Sequence, residues 1–164
     1  MYLNIDEIKN NGNSYVINFD DKINFDEKYY PVKAKLYFKI YDNIMEIKGD
    51  VAGTIKLACN RCLKENDYSF SYKIDEFYAL NSLLDEYPEE YEIKEGSFIN
   101  DLNGEKEFDI NKFLYEIITI NLPNNYVCDI NCIEANENIK KYFKTSDEDP
   151  RMAIFKEIIV KEKE

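Results

Sequence analysis

Histidine does not occur anywhere in this 164-residue chain. Its absence removes the commonest general base, every Ser-His or Cys-His nucleophile and every imidazole metal ligand. Most familiar hydrolase chemistry goes with it. Long apolar runs are missing too. No stretch approaches the ~18 to 20 apolar residues that a membrane helix requires, and the opening MYLNIDEIKN lacks a basic region followed by an apolar one. A soluble, cytoplasmic protein without a membrane partner is the expectation. Basic side chains are scarce beside acidic ones, 21 against 33, for a net charge of -12.

That deficit is unevenly spread. Residues 1–74 carry eleven basic and eleven acidic side chains, whereas 75–164 carry ten and twenty-two. Most of the imbalance lies between Asp75 and Glu107, where eleven acids face only Lys94 and Lys106. Such a stretch is either a solvated insertion that maintains solubility or an acidic surface for a basic partner such as a ribosomal protein. With ten Phe and fourteen Tyr the chain has ample material for a core, and its length suits one domain spanning 1–164. Residues 80–107, punctuated by Pro88, Gly96 and Gly104, form the acidic connection within it.

Periodicity supplies the elements. Ile5 to Lys9 forms a short helical turn ended by Asn10-Asn11-Gly12-Asn13, and Ser14 to Phe19 reads as a short strand. From Val32 to Tyr41 the chain alternates strictly. Val32, Ala34, Leu36, Phe38 and Ile40 point one way, and Lys33, Lys35, Tyr37, Lys39 and Tyr41 the other, the mark of a half-buried antiparallel strand. After a tight turn at Asp42-Asn43, a second long strand places Met45, Ile47, Gly49, Val51, Gly53, Ile55 and Leu57 on one face. Cys59-Asn60-Arg61-Cys62 follows at a hairpin turn, and a third strand runs through Tyr68, Phe70, Tyr72 and Ile74. Beyond the acidic connection, Asp109 caps a helix whose Ile110, Phe113, Leu114, Ile117 and Ile118 make one apolar stripe, with Pro123 as its stop. Asp149-Pro150 opens a second helix with Ile154, Phe155, Ile158 and Ile159 on its buried side. The fold class is α+β, an antiparallel sheet with a Cys-x-x-Cys hairpin turn, covered by one or two helices.

Two groups of residues carry chemistry. The cysteines fall as Cys59-x2-Cys62 and Cys128-x3-Cys132. In a reducing compartment paired spacings point to metal rather than disulfide, and four thiolates would fill a tetrahedral zinc site and leave no open position for catalysis. The competing reading is four buried or idle thiols. The second group is the outward row Lys33, Lys35, Tyr37, Lys39 and Tyr41, extended by Arg61 and Lys64 at the cysteine turn. Cations interleaved with rings suit single-stranded RNA, while the plainer reading is a solvated sheet face, with Arg61 bonding carbonyls beside the cysteine turn. No spacing singles out a pair of catalytic carboxylates, Glu116 on the main helix included, and Asp147-Glu148-Asp149 suits a helix N-terminus better than a metal cluster. An enzyme is therefore not expected, nor a small-molecule substrate.

The segment Gly49 to Leu63, a glycine-bearing strand leading into Cys59-Asn60-Arg61-Cys62-Leu63, closely resembles the signature of the YceD-type large ribosomal RNA subunit accumulation proteins. Phe108-Asp109-Ile110 through Glu116 to Leu122-Pro123, followed by Cys128, resembles the family's second block, and Asp149-Pro150-Arg151 its tail motif. The chain departs from the pattern after Cys132, where Ile133 to Thr145 holds neither glycine nor cysteine. The resemblance implies a non-catalytic ribosome biogenesis factor that supports accumulation of large-subunit ribosomal RNA. Two mechanisms follow as expectations: binding to the rRNA precursor, to a basic ribosomal protein or to both, or a zinc-stabilised protein-binding adaptor that never touches RNA.

Overall fold

The computed structural model describes residues 1–81 and 99–132. The helix expected from Asp149, the Asp149-Pro150-Arg151 motif and the middle of the acidic connection lie outside the described residues. The chain divides into two compact units, Met1–Lys56 with Asp67–Pro123, and Leu57–Asn66 with Asn124–Glu164. Among the described residues no helix is long and apolar enough to cross a membrane.

The first unit is built on a five-stranded sheet of order β2-β3-β4-β5-β6, formed by Ser14–Phe25 (β2), Lys28–Tyr41 (β3), Ile44–Ala58 (β4), Glu65–Ala79 (β5) and the short Asn100–Asp101 (β6). Strands β2 to β4 pair antiparallel, and β6 runs parallel to the end of β5. The side-chain pairs Thr54–Ser69 and Lys56–Asp67 give β4 and β5 the antiparallel sense of a hairpin. On β3 every even position from Val32 to Ile40 is buried and every odd one from Lys33 to Tyr41 exposed, as the alternation requires. Residues Met45, Ile47, Val51 and Ile55 of β4 bury on that same inner side.

Strand β2 runs further than the Ser14–Phe19 expected. Its pairing with β3 continues through Asp20↔Lys33 and Ile23↔Tyr30 to Phe25↔Lys28, closing on a two-residue turn at Asp26-Glu27. Both turn residues have positive φ, 48° and 65°, the sign that a tight hairpin of right-handed twist demands. Neither is glycine, so the turn gives no ordinary sequence signal.

A second, two-stranded sheet joins Tyr2–Asn4 (β1) to Glu107–Asp109 (β7). Each strand leads directly into a helix. Asn4 caps Ile5–Asn10 (α1) by accepting from the Asp6 amide at 2.8 Å, and Asp109 caps Ile110–Asn121 (α2) by accepting from Asn111 and Lys112 at 3.0 and 3.3 Å. All five residues of the α2 stripe are buried. Aromatic rings bind α2 and β7 to the inner face of the sheet: Phe108 meets Phe38 and Tyr78 edge-on, and Phe25 packs against Tyr115.

Two glycines on the inner side of β4 admit close approaches. A Cβ on Gly49 would run into the Lys35 carbonyl oxygen, and one on Gly53 would stand 2.9 Å from the tip of the Phe70 ring. The first obstacle is backbone and cannot rotate away. Gly49→Ala is therefore expected to force the central β3–β4 pair apart and cost about 1–3 kcal/mol by the usual range for overpacking. Urea denaturation is the check, and stability within 0.3 kcal/mol of the parent, an order-of-magnitude threshold for additivity error, would contradict the contact.

Candidate metal centre and docking surfaces

The second unit brings the two cysteine pairs together. Cys59 and Cys62 lie in the connection between β4 and β5, where the Leu63 amide donates to the Cys59 carbonyl and the Cys59 amide to that of Lys64. Leu63 turns the chain with a φ of 58°, a conformation that usually calls for glycine. The other pair sits on a turn shaped by Asp129, whose side chain accepts from the Asn131 amide at 2.7 Å and whose carbonyl accepts from Cys132. Asn60 joins the two segments, its amide donating to the Tyr126 carbonyl at 2.8 Å and its side chain to that of Asn125 at 3.2 Å. Arg61 adds a third link by donating to the Ile130 carbonyl at 2.8 Å.

Between these segments the four sulfurs converge, all within 4.8 Å of one another. The Cys59 and Cys132 sulfurs are 3.7 Å apart and those of Cys62 and Cys128 3.6 Å. Four sulfurs about 2.3 Å from a tetrahedral zinc stand about 3.8 Å from each other, so the spacing fits that ion. Cys59, Cys62 and Cys132 are buried and Cys128 half-buried, and none forms a disulfide. Three backbone amides, those of Arg61, Cys62 and Cys128, point at the Cys59 sulfur from 3.4 to 3.5 Å.

These surroundings divide the thiols. Burial pushes the Cys59 thiol up, but the amides of Cys128, Cys62 and Arg61 outweigh it and hold the group at about 6. Burial pushes Cys128 up to about 12, helped by the sulfurs of Cys62, Cys59 and Cys132, and burial likewise raises Cys132. Negative charge thus collects readily on Cys59 and is resisted on Cys128 and Cys132. A bound dication removes that conflict by sharing the charge of all four.

The outward row of β3 lies in the first unit, and its strand register changes its electrostatic meaning. Each of the three lysines has a carboxylate directly opposite: Lys33 faces Asp20 on β2, and Lys35 and Lys39 face Asp50 and Glu46 on β4. Lys33 and Asp20 form an ion pair at 3.2 Å. The pattern continues along the sheet with Lys48 between Glu46 and Asp75, and Lys56 against Asp67. Lys35 and Lys39 also lean over the rings of Tyr37 and Tyr41, 5.2 and 4.7 Å from the centroids. The row is exposed as expected, and the neighbouring strands set a carboxylate beside each of its lysines. Arg61 and Lys64 belong to the second unit, both exposed.

A cleft of about 410 Å³ opens elsewhere in the first unit. Glu105, Glu107, Asp109 and Glu116 line it together with Tyr78 and Phe108, the Asp109 carboxylate being the cap of α2. Its cation, Lys112, stands 4.0 Å from Glu116. Burial, followed by the charges of Glu116 and Glu76, pushes the Tyr78 hydroxyl up to about 12, so the ring adds no negative charge near neutrality. In the sequence Glu105 and Glu107 belong to an acidic stretch far from Glu116, and only the tertiary fold makes the three neighbours in one hollow.

Residues 47–158 match the family model described as Large ribosomal RNA subunit accumulation protein YceD. No curated protein and no solved structure gives a significant match.

Proposed function

Because the chain belongs to the YceD family, and so to proteins of large-subunit ribosomal RNA accumulation, we propose that it is a non-catalytic biogenesis factor whose acidic cleft docks a basic ribosomal protein. The four-cysteine centre, in this reading, holds a structural zinc through Cys59, Cys62, Cys128 and Cys132, fixing two loops and performing no chemistry. The absence of histidine and the closed set of four sulfurs support a binding role. The observation that carries the choice of partner is the contrast between the two surfaces. The lysine row is opposed strand by strand by carboxylates, whereas the cleft gathers carboxylates around aromatic rings. A Lys or Arg side chain fits such a hollow, its stem on the rings and its charge among the acids. With a net charge of -12 the chain attracts basic proteins and repels polyanions at long range.

Neutralising Glu105, Glu107 and Glu116 together to Gln should reduce co-sedimentation with large-subunit precursors about tenfold, taking roughly 0.5 kcal/mol for each exposed charge. A second reading places RNA on the Lys33, Lys35, Tyr37, Lys39 and Tyr41 face, favoured by the two lysines poised over rings. Charge reversal of Lys33, Lys35 and Lys39 to Glu discriminates. Unchanged sedimentation in that variant supports the protein partner, and its loss with the Gln variant unaffected supports RNA.

A further inference from the structure

We propose that the cleft of the first unit takes its basic partner as an extended strand, paired antiparallel along the outer edge of β7. This inference rests on the docking reading above and adds the conformation and residue pattern of what is docked. The phase of the hydrogen bonds in the small sheet carries it. Ile110 donates its amide to the Met1 carbonyl and Ile5 donates to that of Lys106, both at 2.9 Å. With the register Tyr2↔Asp109, Leu3↔Phe108 and Asn4↔Glu107, those bonds make Leu3 and Phe108 the pair that exchanges hydrogen bonds across the ribbon. The amide and carbonyl of Glu107 therefore point away from β1, as does the amide of Asp109. Strand β7 pairs with β1 alone, so no strand among the described residues meets these groups. Such an edge is a template for one more strand.

The lining of the cleft sets the sequence of that strand. Along β7 the side chains alternate, with Phe108 buried between the exposed Glu107 and the half-buried Asp109. A partner residue opposite Phe108 falls on the side of that ring and of Tyr78 and Phe113, which line the same cleft. Its two neighbours fall on the other side, opposite Glu107 and Asp109, with Glu105 and Glu116 in the same hollow. The Asp109 carboxylate is committed to capping α2, so Glu107 is the principal counter-charge. The segment that fits is basic, apolar and basic at successive positions. A strand of three residues spans about 10 Å, so the main-chain pairing is short and the alternation supplies selectivity. A block of consecutive basic residues, or a basic helix, meets the charge of the cleft but not its edge.

The test titrates the isotope-labelled full chain with the pentapeptide Lys-Val-Arg-Val-Lys, acetylated and amidated at its ends. Two comparison peptides go beside it. One is the block isomer Lys-Arg-Lys-Val-Val, and the other is the alternating peptide methylated on the backbone nitrogens of its basic residues. When the alternating peptide saturates the chain, amide exchange followed by NMR should slow at least about tenfold at Glu107. Leu3 and Phe108, already bonded to each other, should change less than about twofold. Both comparison peptides should bind at least about fivefold more weakly. Changing Glu105, Glu107 and Glu116 together to Gln separates the strand from the site. Binding that this change weakens, but that leaves the Glu107 amide at its free rate and accepts the methylated peptide equally well, overturns the strand and leaves the acidic cleft standing. Binding that the change does not touch, or no binding of any peptide, overturns the cleft reading and the strand with it.

Discussion

Serine at Cys59 should leave the chain with less than about a tenth of an equivalent of zinc after dialysis, where the parent carries about one, since a closed structural site needs all four thiolates. The hydroxyl is a poor zinc ligand near neutrality, and the three amides aimed at the Cys59 sulfur would face a neutral oxygen instead. Structural zinc contributes on the order of 10 kcal/mol to small zinc-dependent folds. Among the described residues the two loops are otherwise joined by the hydrogen bonds of Asn60 and Arg61, and Leu63 and its neighbours make turns rather than sheet. Hydrogen exchange should therefore accelerate by more than about a hundredfold at the amides of Cys59, Leu63 and Cys132, given how much free energy the metal supplies. Amides in the middle of β3 and α2 should keep their protection. A parent chain that binds no zinc, or a variant whose loops remain protected, would remove the metal from the account.

The second large effect is expected at Phe108. This ring is buried and lies 6.0 Å from Phe38, 5.2 Å from Tyr78 and 5.3 Å from Phe113, centroid to centroid. It therefore joins β3, β5 and α2 at one point. Truncation to alanine should cost about 3–5 kcal/mol, from lost burial and an unfilled cavity together. In a chain of this size that lowers the melting temperature by roughly 10 °C or more. Phe108→Leu, which retains most of the volume, should cost less than half as much. Calorimetry on both variants tests the claim, and equal or negligible losses would show that the ring is not the junction it occupies geometrically.

Much of this architecture was legible because its elements repeat their own period. The alternation from Val32 to Tyr41 needs no partner to be recognised, and the stripe from Ile110 to Ile118 announces its buried side. The cysteine spacing likewise reduced the metal reading to four residues, and the fold brought all four together. Other features depend on pairing that the linear order hides. Asp20, Asp21 and Lys22 look like a loop, yet they extend β2 because β3 lies alongside to accept them. The three-residue strands β1 and β7 are too short to show a period. The lysine row looked cationic in sequence because Asp50 is fifteen residues from Lys35, and only the register sets them face to face. Charge patterns read along one strand are therefore incomplete until its neighbours are known.

The most direct test of the docking account is affinity capture of the chain from cell extract, followed by exhaustive ribonuclease digestion on the resin. A basic ribosomal protein that stays bound after digestion, and is absent when Glu105, Glu107 and Glu116 are changed to Gln, is the expected result. Release of every ribosomal component with the digested RNA would contradict the account and leave the lysine and tyrosine face as the surface that binds.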